Sequence, residues 1–248
     1  ACVAPAAWSL VPRAPASDHR PELTVLSANL LVGNPTPERI VPQILAADAD
    51  VVLLQEAFSP QWNAIEPLLR ERYPYSVQRR GRQGAFAIFS RLPFVGEPIR
   101  EADDGFGRPR VAATVLFDGR PLLVRNVHLP SPGVLTILPE QTRAAEALAD
   151  EARTAGAPAL LAGDFNSPHD APTLRALRKA GLIEAHRAAG RGRGATWPRR
   201  TFLRRFPGVG IDHVYVTPEL EPVRAEVGET FGSDHAPVIV RVRWREER

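Results

Sequence analysis

The chain is poor in sulfur and lacks the features of several protein classes. Cys2 is the only cysteine among 248 residues, and there is no methionine. A single cysteine excludes an intrachain disulfide and any metal site built from several cysteine ligands. No apolar run approaches the roughly 18 residues that are needed to cross a bilayer. The chain must therefore rely on a hydrophobic core, and its 44% of hydrophobic residues is ample for one.

Lysine is nearly missing as well. Lys179 is the only lysine among 31 basic residues, and all the others are arginines. A compositional bias toward arginine codons accounts for such a ratio. The planar guanidinium group is also well suited to phosphate recognition, so both interpretations stay open. The formal net charge of +3 is mild.

The first 21 residues differ in composition from the rest. They are rich in alanine and proline and have neither strand nor helix periodicity. We interpret residues 1–21 as a tether and residues 22–248 as one folded domain. Because the chain does not begin with methionine, we expect a processed or trimmed product. Ala1-Cys2 as the end of a lipoprotein signal, and residues 1–10 as the tail of a removed membrane helix, are two further hypotheses.

The remaining sequence alternates apolar strand-like segments with amphipathic ones. It predicts about ten strands and four helices, and Asp118-Gly119 predicts a hairpin turn. Strand pairs that are mixed with helices indicate an α+β fold, with two mostly antiparallel sheets stacked face to face and helices outside. The principal predicted strands are 23–30, 51–54, 75–78, 85–90, 111–117, 122–129, 158–162, 211–216, 223–227 and 238–242, and the predicted helices are 36–47, 59–72, 138–155 and 171–180.

Several predicted strands end in carboxylate, amide or imidazole side chains that packing does not require. In Gly163-Asp164-Phe165-Asn166, a buried strand stops and two polar residues follow, one residue apart. In extended backbone, residues i and i+2 point to the same side, so Asp164 and Asn166 should project together. Such a sequence also makes an ordinary turn, and both interpretations stay open at this point. The other members of the set are Asn29, Glu56, His128, Asp212, Asp234 and His235.

This set of side chains suits a divalent cation beside a phosphate group. Glu56 directly follows an apolar strand, and its carboxylate would be costly to bury without a cation. The oxygen donors of Glu56, Asp234 and Asn29 are those that Mg²⁺ or Mn²⁺ prefers, which makes Zn²⁺ less suitable without excluding it. A divalent metal with neighbouring Asp, Asn and His side chains is what phosphoester hydrolysis needs.

Six short motifs carry these residues. They are Ser27-Ala28-Asn29-Leu30, Gln55-Glu56, Asn126-Val127-His128-Leu129, Gly163-Asp164-Phe165-Asn166, Ile211-Asp212-His213 and Ser233-Asp234-His235. Their order and spacing resemble the endonuclease/exonuclease/phosphatase superfamily, which includes DNase I-like nucleases, abasic-site endonucleases, inositol-phosphate phosphatases and neutral sphingomyelinases. Each motif is weak alone, but six in register are specific. The resemblance covers roughly residues 22–244. It implies a four-layer αββα sandwich with the catalytic site at one end of the paired sheets.

The resemblance also implies metal ligands and a supporting cation. Glu56 looks like the central ligand for Mg²⁺ or Mn²⁺, helped by Asn29 and Asp234. Arg110 stands before His128 about where nucleases of the superfamily place a supporting arginine. Arg108 competes for that assignment because it lies two residues away.

Five residues would then carry the chemistry. Asp164 resembles the residue that orients or deprotonates the attacking water. Asn166 and His128 look like donors to the phosphate oxygens. Asp212 resembles the carboxylate that fixes the tautomer of His235 and favours its protonated form. A cationic His235 would stabilise the negative charge of the transition state.

Two features adjoin this constellation. His213 follows Asp212 and should point to the opposite face of the strand, as a packing or supporting residue. Residues 187–210 form a long irregular segment in which arginines are interleaved with aromatic residues. Because that segment leads into the strand that bears Asp212, we expect it to rim the site. A phosphodiester backbone or an anionic lipid head group would fit such a rim.

Two substrate classes fit the sequence. Ala195-Thr196-Trp197-Pro198, a Pro-Gly turn and Ile211-Asp212-His213 resemble the bacterial membrane-anchored, teicoplanin-resistance-associated branch of the superfamily. That branch implies a lipid-linked phosphate or pyrophosphate, or a phospholipid, as the substrate. The enzyme would be extracytoplasmic, and its tether would hold it at the membrane surface as a monomer. The alternative is a Mg²⁺-dependent DNase or abasic-site endonuclease, with a cytoplasmic location. Short loops and scarce lysine disfavour it. A noncatalytic module is disfavoured because every expected catalytic position is filled.

Overall fold

Twelve strands form two six-stranded sheets in the computed structural model, which describes residues 20–34, 36–81, 84–101, 110–131, 138–199 and 207–246. The first sheet contains, in spatial order, β11 (Leu220–Val227), β12 (Val238–Trp244), β1 (Leu23–Asn29), β2 (Val51–Ala57), β4 (Gly84–Ser90) and β3 (Tyr75–Gly81). The second contains β5 (Ile99–Glu101), β6 (Arg110–Phe117), β7 (Arg120–His128), β8 (Ala159–Asp164), β10 (Asp212–Val216) and β9 (Ile183–Glu184).

Five α-helices accompany the sheets in the described ranges. They are α1 (Ile40–Ala46), α2 (Ser59–Arg72), α3 (Leu138–Thr154), α4 (Arg175–Lys179) and α5 (Ala185–Ala189). Single 3-10 turns at Pro37–Arg39 and Pro172–Leu174 precede α1 and α4, so the helices that were predicted from residues 36 and 171 start as tighter turns. None of the helices described has the length and apolar character that crossing a lipid bilayer requires.

Three separate apolar clusters define four layers. Side chains such as Val25, Leu53 and Val124 fill the space between the two sheets. On the outer face of the first sheet, α1 and α2 bury a cluster that includes Trp62. On the outer face of the second sheet, α3 and α4 bury a cluster that includes Leu148. The predicted αββα sandwich is therefore confirmed, because the alternating apolar faces of each sheet need a partner on both sides.

The topology explains why the polar strand ends converge. Each sheet has one parallel pair of neighbouring strands, β1 with β2 and β7 with β8, and all its other pairs are antiparallel. Parallel neighbours end at the same edge, which brings Asn29 close to Glu56 and pairs His128 with Asp164. Strand β10 runs antiparallel to β8, so Asp212 at its start lies opposite Asp164.

Two buried amides join the sheets directly beneath this edge. The Nε2 of Gln55 in β2 donates to the Oδ1 of Asn126 in β7 at 2.7 Å. The Nδ2 of Asn126 donates to the backbone oxygens of Leu54 and Ala87, both at 2.9 Å. These bonds satisfy polar groups that the sandwich would otherwise bury unpaired, and they fix the two sheets relative to each other.

Other differences from the predicted elements are small. The hairpin turn at Asp118-Gly119 is confirmed, with φ values of 49° and 73°. The sequence did not predict β5, β9 or α5, which are too short to show a clear periodicity. Residues 1–19 lie outside the described ranges, so the tether and the domain boundary after residue 21 stay predictions.

Candidate active site

Glu56 lies at a β-bulge near the end of β2. The pairing of β2 with β4 shifts between Leu54 and Ala57, and Glu56 has a φ of 56°. A non-glycine residue in this left-handed region stores strain, which is common at functional sites. The bulge directs the Glu56 carboxylate toward the end of β1, where the Nδ2 of Asn29 donates to its Oε1 at 3.0 Å.

Asn29 links the two central carboxylates. Its Nδ2 also donates to the Oδ2 of Asp164 at 3.1 Å, and its Oδ1 accepts a hydrogen bond from the backbone nitrogen of Leu31 at 3.0 Å. The amide nitrogen therefore faces the carboxylates and the amide oxygen faces the backbone. The predicted role of Asn29 as a metal ligand stays a prediction, and it requires the amide oxygen to turn toward the carboxylates.

Asp164 and Asn166 form a turn that is also part of the site. The backbone nitrogen of Asn166 donates to the Oδ1 of Asp164 at 2.7 Å, and its Nδ2 donates to the Oδ2 of Asp164 at 3.2 Å. Asn166 has a φ of 49°, so the backbone is not extended as the i, i+2 argument assumed. Its Nδ2 also donates to the backbone oxygen of Leu129 at 2.9 Å. The motif is therefore both a turn and a pair of neighbouring polar side chains at the candidate site.

The preceding glycine permits this arrangement. Gly163 has a φ of 151°, and a Cβ there would overlap the backbone oxygen of Val127 in the neighbouring strand β7. Only glycine fits between β7 and β8 at this point, just before Asp164.

His128 lies among the carboxylates. Its Nε2 is 3.5 Å from the Oε1 of Glu56 and 3.5 Å from the Oδ2 of Asp164, and its ring stacks on Phe86. Ligand atoms of Glu56, His128 and Asp164 all lie within 4.8 Å of one another, so these three could hold a metal ion. Sequence reasoning assigned His128 to the phosphate oxygens and did not foresee its closeness to Glu56.

Asp212 and His235 form the pair that the sequence predicted. The Nδ1 of His235 is 2.9 Å from the Oδ2 of Asp212, and its Nε2 is 3.9 Å from the Oδ2 of Asp164. Burial disfavours the imidazolium, but the charge and hydrogen bond of Asp212, with the charge of Asp164, outweigh it and raise the pKa of His235 to about 10. The Oγ1 of Thr196 accepts from the backbone nitrogen of Asp212 at 3.2 Å and steadies the start of β10.

Asp164 lies close both to Glu56 and His128 and to the Asp212–His235 pair. It is 1% exposed, and burial together with the nearby charge of Asp212 raises its pKa to about 7. His235 and hydrogen bonds from Asn166 and Asn29 oppose this shift. The carboxyl group of Asp164 is thus poised to exchange a proton near neutral pH.

Asp234 belongs to neither of the two clusters in which candidate ligand atoms lie within 4.8 Å of one another. Its Oδ2 accepts a hydrogen bond from the indole Nε1 of Trp197 at 3.2 Å, whereas its Oδ1 is buried with no hydrogen-bond partner. A buried carboxylate oxygen without a donor is costly unless a cation approaches it. The carboxylate oxygens of Glu56 and Asp164, with the unpaired Oδ1 of Asp234 as a further candidate, fit a hard divalent cation such as Mg²⁺ or Mn²⁺.

The site opens into a cavity of about 570 Å³ that is lined by polar and apolar residues. The apolar residues of the lining are Leu31, Pro168, Trp197, Val209 and Ile211. Backbone hydrogen bonds between Trp197 and Val209 hold these two side chains at the mouth, where they are 37% and 42% exposed. Sequence reasoning left Trp197 as a possible loop anchor, because its contact with Asp234 spans 37 residues and no local spacing reveals it.

His213 points away from the site, as its position after Asp212 predicted. Its Nδ1 is 3.3 Å from the Oε1 of Glu184, and its Nε2 is 3.0 Å from the backbone oxygen of Ser167. The ring packs against Phe165 behind the turn that carries Asn166. His213 thus supports the segment after Asp164 from the outer face of the second sheet.

The predicted arginine positions are resolved only in part. Arg110 begins β6, but its side chain and the whole of Arg108 lie outside the described ranges, as do residues 200–206 of the segment that was expected to rim the site. Within the described part of that segment, Trp197 and Val209 line the site, whereas Arg191, Arg193 and Arg199 line a different cavity. Among the described residues of that segment, those that line the site are apolar, and the arginine rim stays a prediction for residues 200–206.

Comparisons with known proteins agree with this geometry. A model of the endonuclease/exonuclease/phosphatase family matches residues 26–235. A UPF0294 protein of Vibrio cholerae is 34% identical over 131 residues, which cover 52% of this chain and 42% of the relative. The chain thus matches less than half the length of that relative.

Solved structures show the same fold. An endonuclease/exonuclease/phosphatase from Beutenbergia cavernae has a TM-score of 0.74 at 23% identity, over 91% of this chain and 72% of that one. D. rerio TDP2 in complex with a single-strand DNA product has a TM-score of 0.70 at 19% identity, over 90% of this chain and 99% of that one. The extent of the family match shows that this chain belongs to the endonuclease/exonuclease/phosphatase family.

Proposed function

We propose that the protein is a divalent-cation-dependent phosphoester hydrolase that uses water as its nucleophile. The observation that carries the proposal is the position of Asp164. Its Oδ2 lies 3.5 Å from the Nε2 of His128, beside Glu56, and 3.9 Å from the Nε2 of His235. One buried carboxyl group thus connects a candidate cation site to a cationic imidazole, which are the two devices that stabilise a phosphoryl transition state.

Glu56 and Asp164 would hold the cation, with Asp234 supplying its buried oxygen and with His128 and Asn29 adjoining. A bound Mg²⁺ or Mn²⁺ would supply neutralising charge at the phosphate. A titration of the protein with Mg²⁺ and with Mn²⁺ would measure which ion binds more tightly and how many ions bind.

The chain's own residues would manage the protons. Asp164, whose carboxylate lies between the candidate cation site and His235, can orient the attacking water and accept its proton. His235 stays protonated because Asp212 holds its Nδ1, so its Nε2 can donate to a phosphate oxygen. Asn166 has both amide hydrogens in bonds to Leu129 and Asp164, so we assign it first to holding Asp164. Direct donation from Asn166 to the phosphate would require one of these bonds to break.

We favour a lipid-linked phosphate or a phospholipid as the substrate. The apolar residues that line the cavity, among them the partly exposed Trp197 and Val209, support an apolar group next to the scissile phosphate. The resemblance of residues 195–198 and 211–213 to the membrane-anchored, teicoplanin-resistance-associated branch supports the same class. On this proposal the enzyme acts outside the cytoplasm as a monomer, and residues 1–21 keep it near a membrane surface.

A nuclease is the second candidate function. D. rerio TDP2, which shares the fold, is described in complex with a single-strand DNA product. The arginines of residues 187–199 could contact a nucleic acid backbone in a related way. The apolar residues at the mouth of the catalytic cavity favour a lipid-linked substrate over a nucleic acid, because the protein grooves that bind nucleic acids are strongly basic.

A substrate panel tests the proposal. With Mg²⁺ or Mn²⁺, the protein would be assayed on plasmid DNA, an abasic-site duplex, sphingomyelin, phosphoinositides and a polyprenyl pyrophosphate. Trp197→Ala should raise the KM for the preferred lipid much more than for a water-soluble analogue with the same head group. Preferential cleavage of either DNA substrate would contradict the lipid assignment. Absence of metal-dependent cleavage of every substrate would contradict the reaction class.

A further inference from the structure

A second cavity, of about 700 Å³, lies beside the catalytic one and is rich in arginine. Its lining combines the end of α5 and residues 191–199 with the edge strand β11 and with Arg241 of the neighbouring strand β12. The charged residues that line it are Arg191, Arg193, Arg199, Arg224, Arg241, Glu22 and Glu226. Positive charges therefore outnumber negative ones.

The two glutamates are already matched. The guanidinium group of Arg224 is 2.7 Å from the Oε2 of Glu226, and that of Arg241 is 3.8 Å from the Oε2 of Glu22. Within the described ranges, the side chains of the three arginines on the 191–199 segment have no acidic partner. The cavity thus keeps an uncompensated positive charge.

Arg199 gives a second indication of a ligand. Its Nε is buried without a hydrogen-bond acceptor. A buried guanidinium nitrogen is costly to leave unpaired, whereas an anion in the cavity would satisfy it. The planar fork of a guanidinium group matches two oxygens of a phosphate, so phosphate is the anion that suits this lining best.

One stretch of chain separates the two cavities. Gly194, Ala195 and Arg199 line the basic cavity, whereas Trp197 lines the catalytic one. The backbone nitrogen of Arg199 donates to the backbone oxygen of Asp234 at 2.7 Å, so the wall of the basic cavity is bonded directly to the site. An anion that is held there would be close to a substrate in the catalytic cavity.

We propose that the basic cavity binds a compact phosphate polyanion, such as the second phosphate of a pyrophosphate or of a bisphosphorylated head group. The internal Arg–Glu pairs and the concave lining favour a compact group over a duplex backbone or an extended membrane surface. Binding to the cavity does not depend on the proposed function. Only its use as a substrate subsite rests on that proposal.

Binding of inorganic pyrophosphate to the full chain tests the cavity directly. The protein would be stripped of divalent metal with a chelating resin, because the carboxylates of the catalytic site then repel anions and only the basic cavity should bind. Isothermal titration calorimetry should give one saturable site. The double variant Arg191→Ala/Arg193→Ala should weaken binding roughly tenfold or more. Arg175→Ala, an exposed arginine of α4 that lines neither cavity, should leave it unchanged.

Two results would overturn the proposal. One is absence of saturable pyrophosphate binding, and the other is equal affinity of the wild type and the double variant. Vesicles that contain phosphatidic acid distinguish the source of the phosphate. Binding to the vesicles that the double variant loses and that free pyrophosphate does not displace would assign the arginines to a membrane surface and contradict a compact ligand.

A kinetic comparison tests the use as a subsite. The double variant should raise the KM for a pyrophosphate-bearing substrate and leave that for bis(p-nitrophenyl) phosphate, which has one phosphate, unchanged. An equal rise for both substrates would reject the subsite. If the wild type hydrolyses neither, the proposed function fails while the calorimetric result for the cavity still stands.

Discussion

Replacement of Asp164 by asparagine should stabilise the metal-free protein at alkaline pH while it removes catalysis. Asp164 is 1% exposed and faces Asp212, and these conditions raise its pKa from 3.8 to about 7. The folded protein therefore holds a proton on Asp164 more tightly than the unfolded chain does. Asparagine keeps the shape of the side chain without its charge.

The sign and size of the effect follow from proton linkage. A carboxyl group with a raised pKa costs no stability below pH 4, costs more as the pH rises toward 7, and costs its full amount above that. A shift of about three pKa units corresponds to roughly 4 kcal/mol. The asparagine variant avoids this cost but loses part of the hydrogen bonding that Asp164 accepts from Asn29 and Asn166, which is worth about 1–2 kcal/mol. The net gain at pH 8 should be about 2 kcal/mol.

Thermal and denaturant unfolding of the metal-free proteins at pH 5 and pH 8 measures this difference. Asp164→Asn should be more stable than the wild type at pH 8 and equal or less stable at pH 5. Asp150→Asn, at an exposed aspartate of α3, should show no such pH dependence. A variant that is destabilised equally at both pH values would refute the reasoning about a buried charge.

Three further perturbations have defined outcomes. Asn126→Ala should lower the free energy of unfolding by roughly 2–4 kcal/mol in a denaturant titration, because it removes an acceptor of Gln55 and the amide donor to two backbone oxygens; a loss below about 1 kcal/mol would contradict a stabilising role for these bonds between the sheets. Gly163→Ala should reduce soluble yield and the Tm severely, since its Cβ overlaps the oxygen of Val127, and a wild-type Tm would show that β7 and β8 can separate there. Mg²⁺ should raise the Tm of the wild type but not that of Glu56→Ala, and equal shifts would place the cation elsewhere.

Much of the fold follows from local patterns that the sequence displays. The apolar strands and the amphipathic α3 predict stacked sheets with outer helices, and Asp118-Gly119 specifies its hairpin. The six motifs predict which side chains meet at one edge, and the Asp212–His235 pair is found as the resemblance implied.

Features that depend on long-range pairing could not be predicted in this way. The bulge at Glu56 arises where β2 meets β4, and it faces Gly84 on β4, which has a φ of 90° and where a Cβ would lie 2.9 Å from the oxygen of Ala57. The bond between Trp197 and Asp234 and the placement of Arg199 in a separate cavity depend on how the segment before β10 packs. Such contacts join residues that are far apart in the sequence, so the local spacing of residues does not reveal them.

Metal-dependent hydrolysis by matched variants tests the central claim most directly. Hydrolysis of bis(p-nitrophenyl) phosphate would be measured with and without Mg²⁺ or Mn²⁺ for the wild type, Glu56→Ala and Asp164→Ala, with circular dichroism as the control for folding. The wild type should show metal-dependent activity, and each variant should lose roughly 10³-fold or more while it stays folded. If either folded variant retains most of the activity, the assignment of this site as the catalytic centre is wrong.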